Sequence, residues 1–371
     1  MGTNLVDNKN NLFDYATSEL SQDAFICWLC NWVNFKDEEL SQEERELKRL
    51  ATRFIEKMMN GDKNNDNEKL DERKINIKKQ YKNIDVLLEV KNKTENEIDT
   101  YIIIEDKIGT NLHNNQFERY ENTIQKETEK EERIKTVYYK IYDQSDFDKI
   151  KEEVDMVYTR EKILELFEEY SEKIDNVVFR DYYEHLKRIE EKIKSYKTED
   201  IEKWDSSCYV GFFKYLKDEK VNLLEHGREN EGCGWGYVPN SAGGFMGLWW
   251  FPLDKVKLDK LVKENENLYL QIEQYTKKEE KEYVKKDIIA VKYSVSDKEV
   301  STDETEIKFE AASKNRKEIY EKLKNKLGDK FYKKIFRVGK YMTVGYLEYD
   351  STKDCEEKII ILQNALKEIE L

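Results

Sequence analysis

Residues 83–120 read NIDVLLEVKNKTENEIDTYIIIEDKIGTNLHNNQFERY, and this stretch decides the fold. It contains two runs rich in aliphatic and β-branched residues, 84–90 and 100–107, which predict two strands. The polar residues 91–97 between these runs predict a turn, so an antiparallel hairpin is the simplest connection. From about residue 112 to residue 130 the apolar positions recur at helical spacing, which predicts a helix after the hairpin.

Charged side chains lie at the two ends of this predicted hairpin. Asp85 opens the first strand, and Glu105, Asp106 and Lys107 close the second. Because side chains at i and i+2 of a strand share a face, Glu105 and Lys107 project together and Asp106 points the other way. In an antiparallel hairpin, Asp85 lies across from the end of the second strand. The pattern therefore predicts two carboxylates and one ammonium group in a single cluster.

Such a cluster has the residue types that metal-assisted phosphodiester cleavage needs. Two neighbouring carboxylates repel each other unless a divalent cation lies between them, and oxygen ligands suit Mg²⁺ or Mn²⁺. The metal lowers the pKa of a bound water and stabilises charge on the phosphate, while Lys107 orients the water or neutralises the phosphate. A structural ion pair between Glu105 and Lys107, at the end of the apolar strand YIIIEDK, explains the same local pattern equally well.

Two further features of the sequence lie on either side of the predicted hairpin. Gln116 and Tyr120 stand four residues apart in the predicted helix and therefore share a face, and Glu19 lies in the predicted first helix, TSELSQDAFICWL. The whole order resembles the PD-(D/E)xK nuclease superfamily, and the QxxxY pattern resembles that of its RecB-type branch. The resemblance covers residues 12–170 and is greatest to a bacterial group that shares the ELSQDAF-like and IIIEDKI segments. Ile84 stands where that superfamily often has a proline before the aspartate.

The resemblance implies a fold, an activity and a cofactor. The expected fold class is α/β (α+β), with a restriction-endonuclease-like core in which helices flank a central mixed β-sheet. The expected element order is helix, three strands, helix and strand. The expected activity is metal-dependent hydrolysis of phosphodiester bonds, with Mg²⁺ or Mn²⁺ as cofactor and DNA as the expected nucleic acid. Superfamily members act in restriction, repair and phage defence, so the resemblance implies such a setting.

The resemblance also assigns a role to each residue of the site. Asp85 and Glu105 are expected to bind the metal, and Lys107 is expected to be catalytic. Glu19 is expected to reach the metal directly or through water, with the backbone carbonyl of Asp106 as a further ligand. The two helical residues that are expected to position phosphate or support the site are Gln116 and Tyr120.

Two rival interpretations remain open at this point. One is a catalytically inactive module that keeps the fold and binds nucleic acid or a protein partner. The formal net charge of −14 favours that interpretation, although acids and bases alternate along predicted helices and make mostly solvated faces. The other is a nuclease that cleaves RNA, because the residues do not distinguish RNA from DNA.

The composition predicts a soluble globular protein that has ample residues for a core. Apolar residues make up 38% of the 371 residues and charged residues 39%, but aromatic residues reach 12%, too many for a disordered chain. The five cysteines are an odd number, and the sequence has neither a secretory leader nor an apolar run that could span a bilayer. These features predict a cytoplasmic protein without membrane contact.

The sequence pattern changes near residue 198, which predicts two domains. Residues 1–198 have the nuclease-like features, and residues 199–371 are predicted to have an α+β fold. In the second, GCGWGYVPNSAGGFMGLWWFPL (232–253) alternates glycine and aromatic residues, which predicts a β-hairpin. This second domain is expected to hold substrate, a partner protein or a second protomer. For His113, a position in a loop or at the start of the helix is favoured over a contact to phosphate. For Trp249, Trp250 and Phe251, packing in a β-core is favoured over stacking on bases.

Overall fold

A computed structural model describes residues 10–62, 69–70, 73–92, 97–109, 112, 115–127, 133–220, 222–228, 232–240, 243–279, 282–296, 302–333 and 338–370. The chain divides into two compact units, Met1–Glu191 and Lys192–Leu371. The boundary predicted at residue 198 lies a few residues beyond the division between these units. Within the described ranges, no helix combines the length and the apolar composition needed to cross a bilayer.

The first unit is a mixed sheet flanked by helices, which confirms the predicted α/β class. Its elements in chain order are α1 (Glu19–Asn31), α2 (Gln42–Asn60), β1 (Ile75–Tyr81), β2 (Ile84–Lys91), β3 (Ile98–Lys107), α3 (Gln116–Gln125), β4 (Arg133–Lys140), α4 (Phe147–Glu153), β5 (Met156–Thr159), α5 (Arg160–Glu168) and α6 (Val177–Lys194).

Among the described residues, the strands of this sheet follow the order of the chain, β1-β2-β3-β4-β5. The first three strands are antiparallel, with Val86 of β2 opposite Ile104 of β3, which confirms the predicted hairpin. The β3–β4 and β4–β5 pairs are parallel, and Glu105 lies beside Tyr138. Among the described strands β1 lies at one edge of the sheet, as its alternation of isoleucine with polar residues predicts.

Helices cover both faces of the sheet and bury its apolar side chains. On one face, Phe117, Tyr120 and Ile124 of α3 pack against the sheet. On the other face, α1 contacts β1, β2 and β3, and α2 contacts β4. There Phe54 of α2 packs against the ring of Tyr158, with 5.0 Å between centroids. The end of β3 is therefore enclosed from two sides, which positions the charged residues at that end.

The helix after the hairpin begins later than the sequence predicted. Asn115 adopts a left-handed conformation with φ of 56°, so α3 begins at Gln116 instead of residue 112. Asparagine tolerates this conformation better than most residues, and a left-handed residue cannot continue a helix. The short helix α4, Phe147–Glu153, was not predicted, because its seven residues are too few to display a clear apolar stripe.

In the described part of the second unit, five strands form another sheet in the order β10-β9-β8-β7-β6, and their pairs are antiparallel. Its elements are α7 (Ser206–Lys214), β6 (Gly234–Val238), β7 (Phe245–Trp250), α8 (Lys255–Leu261), β8 (Glu266–Glu279), β9 (Glu282–Val295), α9 (Thr302–Leu327), β10 (Tyr341–Tyr349) and α10 (Thr352–Glu368). The pairing of β6 with β7 confirms the hairpin predicted from the glycine-rich stretch. Trp250 is completely buried in the core of this unit, and the ring of Trp249 lies against Gly234.

The N-termini of α1 and α2 provide a matched test of helix capping. The Ser41 side chain accepts a hydrogen bond from the Glu44 backbone, and the Glu44 side chain accepts one from the Ser41 backbone, a complete capping box. Ser18 caps α1 without such a side-chain bond. We expect Ser41→Ala to lower the free energy of unfolding of the first unit by about 1 kcal/mol, since a helix N–H loses its partner.

Denaturant unfolding of Ser41→Ala and Ser18→Ala, followed by circular dichroism, measures the difference. Ser18→Ala is the control and should cost less than Ser41→Ala. Equal losses for the two variants would contradict the capping account.

Candidate active site

A tight turn at the start of β2 places Asp85. Lys82 and Asn83, the two residues between β1 and β2, have φ of 52° and 70°. Two successive positive φ values are typical of a type I′ turn, which matches the twist of antiparallel strands. The Asp85 carboxylate accepts hydrogen bonds from the Gln80 side chain through Oδ1 and from the Asp106 backbone N–H through Oδ2, each at 3.0 Å. The structure thus places Asp85 across from the end of β3, as the sequence predicted.

Lys107 lies at the centre of a group of carboxylates. Its Nζ forms an ion pair with Glu105 Oε1 and lies 3.8 Å from Asp85 Oδ2 and 3.9 Å from Glu19 Oε2. It also donates to the Asp106 carbonyl at 3.2 Å. The ion pair expected as the structural alternative is therefore present. It is part of a larger cluster, because the same ammonium group also lies near two further acids.

The first turn of α3 supports Glu105. The Gln116 side-chain amide donates to Glu105 Oε1 at 2.6 Å and to the Tyr120 hydroxyl at 2.7 Å. The four-residue spacing of Gln116 and Tyr120 puts both on the helix face that meets the sheet. Glu105 Oε2 is buried and has no hydrogen-bond partner among the described residues. One carboxylate oxygen is thus fixed by the protein, while the other has no such donor.

Burial governs the protonation of this cluster. Glu105 is only 1% exposed, and this burial raises the pKa of its carboxyl to about 7. The hydrogen bond from Lys107 lowers that pKa, and the nearby charge of Asp85 raises it. Burial lowers the pKa of Lys107, but its bond to Glu105 and the surrounding carboxylates outweigh that effect and raise the pKa overall. Lys107 is therefore an ammonium group at neutral pH.

The first helix contributes more residues than the predicted Glu19. Glu19 Oε1 accepts a hydrogen bond at 3.1 Å from the Ile108 backbone, immediately after β3. One turn later, Gln22 donates to Asp106 Oδ1, and Asp23 Oδ2 accepts from Gln80 at 3.0 Å. The positions i+3 and i+4 from Glu19 could have revealed Gln22 and Asp23, because these three side chains share one helix face.

The Asp106 side chain lies on the opposite face of β3 from Glu105 and Lys107, as the two-residue strand period predicts. It is completely buried against α1, and burial raises the pKa of its carboxyl well above the usual range. The Tyr182 hydroxyl donates to the Gln22 side-chain oxygen Oε1 at 3.1 Å, which extends this buried polar contact toward α6. The side chain of Asp106 thus joins the sheet to helices, and only its backbone faces the cluster.

Lys140 is a second lysine that sequence reasoning missed. It ends β4 directly beside Lys107 in the parallel register and is 3% exposed. Burial lowers its pKa to about 8, while the charge of Glu19 raises that pKa and the charge of Lys107 lowers it. The sequence offered a weak signal, a lysine at the carboxyl end of an apolar strand. His113, also considered above, lies outside the described residues.

The donor chemistry of the cluster fits a divalent cation. Asp85 and Glu105 offer carboxylate oxygens, the Asp106 carbonyl is close by, and Glu105 Oε2 has no hydrogen-bond donor among the described residues. In the ranges that the structure describes, no group of three His, Cys, Asp or Glu side chains is placed to hold a metal ion alone. A cation would therefore take two carboxylates and complete its shell with the carbonyl and water, which Mg²⁺ retains readily.

Comparison with known proteins provides evidence for the family of the chain. A family model of the PD-(D/E)XK nuclease superfamily matches residues 10–216, more than half of the chain. The match includes α1, the hairpin and α3, and hence every residue of the cluster. Neither the curated proteins nor the solved structures give a match to the chain. The chain belongs to the PD-(D/E)XK nuclease superfamily.

Proposed function

We propose that this protein is a metal-dependent nuclease that hydrolyses phosphodiester bonds in DNA. The observation that carries the proposal is the convergence of Asp85, Glu105 and Lys107 at one end of the mixed sheet. Members of this superfamily are nucleases and generally use divalent metals. The setting that we propose is restriction, repair or phage defence, as among other members of the superfamily.

Asp85 and Glu105 would hold the metal, which we propose to be Mg²⁺ or Mn²⁺. The backbone carbonyl of Asp106 would be a further protein ligand, and Glu19 would reach the metal directly or through water. When bound, the metal supplies an activated water and neutralises charge on the phosphate. Gln116 holds Glu105 Oε1 in place, so Oε2 is the oxygen left to bind a cation.

Lys107 has the charge and the position for a catalytic role. Its ammonium group lies within 4 Å of Asp85 Oδ2 and Glu19 Oε2 and contacts Glu105. If a cation balanced the charges of Glu105 and Asp85, the N–H groups of Lys107 would be available to a phosphate oxygen or to the attacking water. A preorganised charge in a site that excludes bulk water stabilises the transition state more than one in solution.

A non-catalytic module is the second function that a specific observation favours. The ion pair between Lys107 and Glu105 balances the two charges without a metal, and the net charge of −14 is unusual for a DNA-binding protein. Against this alternative, every acidic residue of the site and its lysine are present, and Glu105 Oε2 has no donor among the described residues. Cleavage assays and metal titration distinguish the two functions.

We expect Lys107→Ala to reduce metal-dependent cleavage by about 100-fold or more, because loss of one electrostatic group at a transition state has effects of that size. The assay incubates the full chain with linear, circular and single-stranded DNA and with RNA, with Mg²⁺, Mn²⁺ or EDTA. Lys126→Ala is the matched control, since Lys126 lies at the exposed end of α3.

The four substrates also separate the alternatives. Cleavage of RNA alone would assign the site to RNA. Absence of metal-dependent cleavage on every substrate would contradict the nuclease and leave the non-catalytic module.

We expect Mn²⁺ affinity to rise with pH and to level off above about pH 7. Glu105 holds a proton below its raised pKa of about 7, so the metal competes with that proton there. Below that pKa, the affinity should fall about tenfold per pH unit. Titration calorimetry at several pH values measures this dependence.

Glu105→Gln should abolish the pH dependence together with most of the binding. Glu118→Gln makes the same change at an exposed position of α3 and should bind as the wild type does. Equal Mn²⁺ affinity in Glu105→Gln and wild type would exclude Glu105 as a ligand.

A further inference from the structure

Gln80 connects two acids that come from different elements. Its side-chain amide donates to Asp23 Oδ2 of α1 and to Asp85 Oδ1 of β2, each at 3.0 Å. A primary amide has two N–H donors, so these two bonds use both of them. The Asp23 side chain is completely buried, which gives one end of this connection a fixed anchor.

The backbone of Gln80 is held in an unfavourable conformation. Its φ is 53°, in the left-handed region, although it lies inside strand β1. The pairs Lys79 with Val86 and Tyr81 with Ile84 flank it, so Gln80 lies opposite Asp85. Left-handed conformations in residues other than glycine persist only where surrounding contacts enforce them, and such residues cluster at functional sites.

Burial does not explain this conformation, because Gln80 is an exposed residue. The conformation places the side-chain amide where it reaches both Asp23 and Asp85. With the Asp106 backbone N–H on Oδ2, the Asp85 carboxylate then has one donor on each oxygen. Its plane is thereby fixed relative to both α1 and β3, which is the condition for a preorganised ligand.

We propose that Gln80 is a positioning residue of the active site, which orients the Asp85 carboxylate for cation binding by joining it to Asp23. This inference rests on the proposed function, because it assigns Asp85 to a cation. It goes beyond that function by giving a role to the left-handed glutamine and to Asp23, neither of which touches the metal in the proposed site.

The test uses Gln80→Ala, Gln80→Gly and Asn83→Gly in the full chain. Gln80→Ala removes the amide and keeps the backbone strain, whereas Gln80→Gly removes both. Asn83→Gly is the matched control, because Asn83 is exposed, has φ of 70° and lies in the neighbouring turn. Thermal unfolding measures the effect of the backbone strain on the melting temperature. Titration calorimetry measures the Mn²⁺ affinity, which depends on the orientation of Asp85.

We expect both Gln80 variants to bind Mn²⁺ about 10- to 100-fold more weakly than wild type, as is typical when a partner of a metal ligand is lost. Gln80→Gly should nevertheless melt at a higher temperature than Gln80→Ala, since glycine relieves the positive φ. Asn83→Gly should melt no lower than wild type and keep its Mn²⁺ affinity. If Gln80 had only a structural role, Gln80→Gly, the more stable of the two variants, would keep the Mn²⁺ affinity of the wild type.

Two results would overturn the proposal, and they are distinguishable. If wild type binds Mn²⁺ and the Gln80 variants bind it equally well, the positioning role is wrong while the proposed function stands. If wild type itself binds no Mn²⁺, the proposed function fails and the role of Gln80 fails with it.

Discussion

The burial of one ammonium group among carboxylates is the constraint on which this site depends. Lys107 is 7% exposed, and its Nζ contacts Glu105 and lies within 4 Å of Asp85 and Glu19. Removing one partner from such a buried ion pair typically costs about 3–5 kcal/mol, because the remaining charge stays unsolvated. The hairpin, α1 and the first turn of α3 must therefore all be in place for the charged end of β3 to remain buried.

The same electrostatics link stability to function. In the absence of a cation, Lys107 balances the acids, and burial still raises the pKa of Glu105 to about 7. A divalent cation at Asp85 and Glu105 would take over that balance and release the lysine toward a phosphate. Under the proposed function, the ion pair and the catalytic role would be two states of one charge arrangement, so the presence of the pair is compatible with catalysis.

The sequence predicted the parts of this site that depend on regular spacing. The two-residue period of β3 separated Asp106 from Glu105 and Lys107, and the four-residue spacing of α3 joined Gln116 to Tyr120. The mixed sheet, its hairpin and the α/β class followed from the order of strands and helices and are confirmed. The superfamily followed from the same residues in that order and is confirmed by the match over residues 10–216.

The parts that the sequence did not predict depend on local conformation or on packing between distant segments. Nothing in the sequence KKQYKN signals that Gln80 adopts a positive φ, and so its bonds to Asp23 and Asp85 were missed. Lys140 lies beside Lys107 only because β3 and β4 are parallel and in that register. The first residue of α3 also depends on local conformation, because the left-handed Asn115 prevents the helix from beginning before Gln116.

The central claim is that Asp85 and Glu105 share a divalent cation. A crystal structure of the protein with Mn²⁺, with anomalous diffraction data, tests it most directly. The account predicts an anomalous peak between the two carboxylates, with Glu105 Oε2 and Asp85 as ligands and Lys107 withdrawn from its ion pair with Glu105. A peak elsewhere, or no peak while Lys107 remains paired with Glu105 at saturating Mn²⁺, would contradict the account.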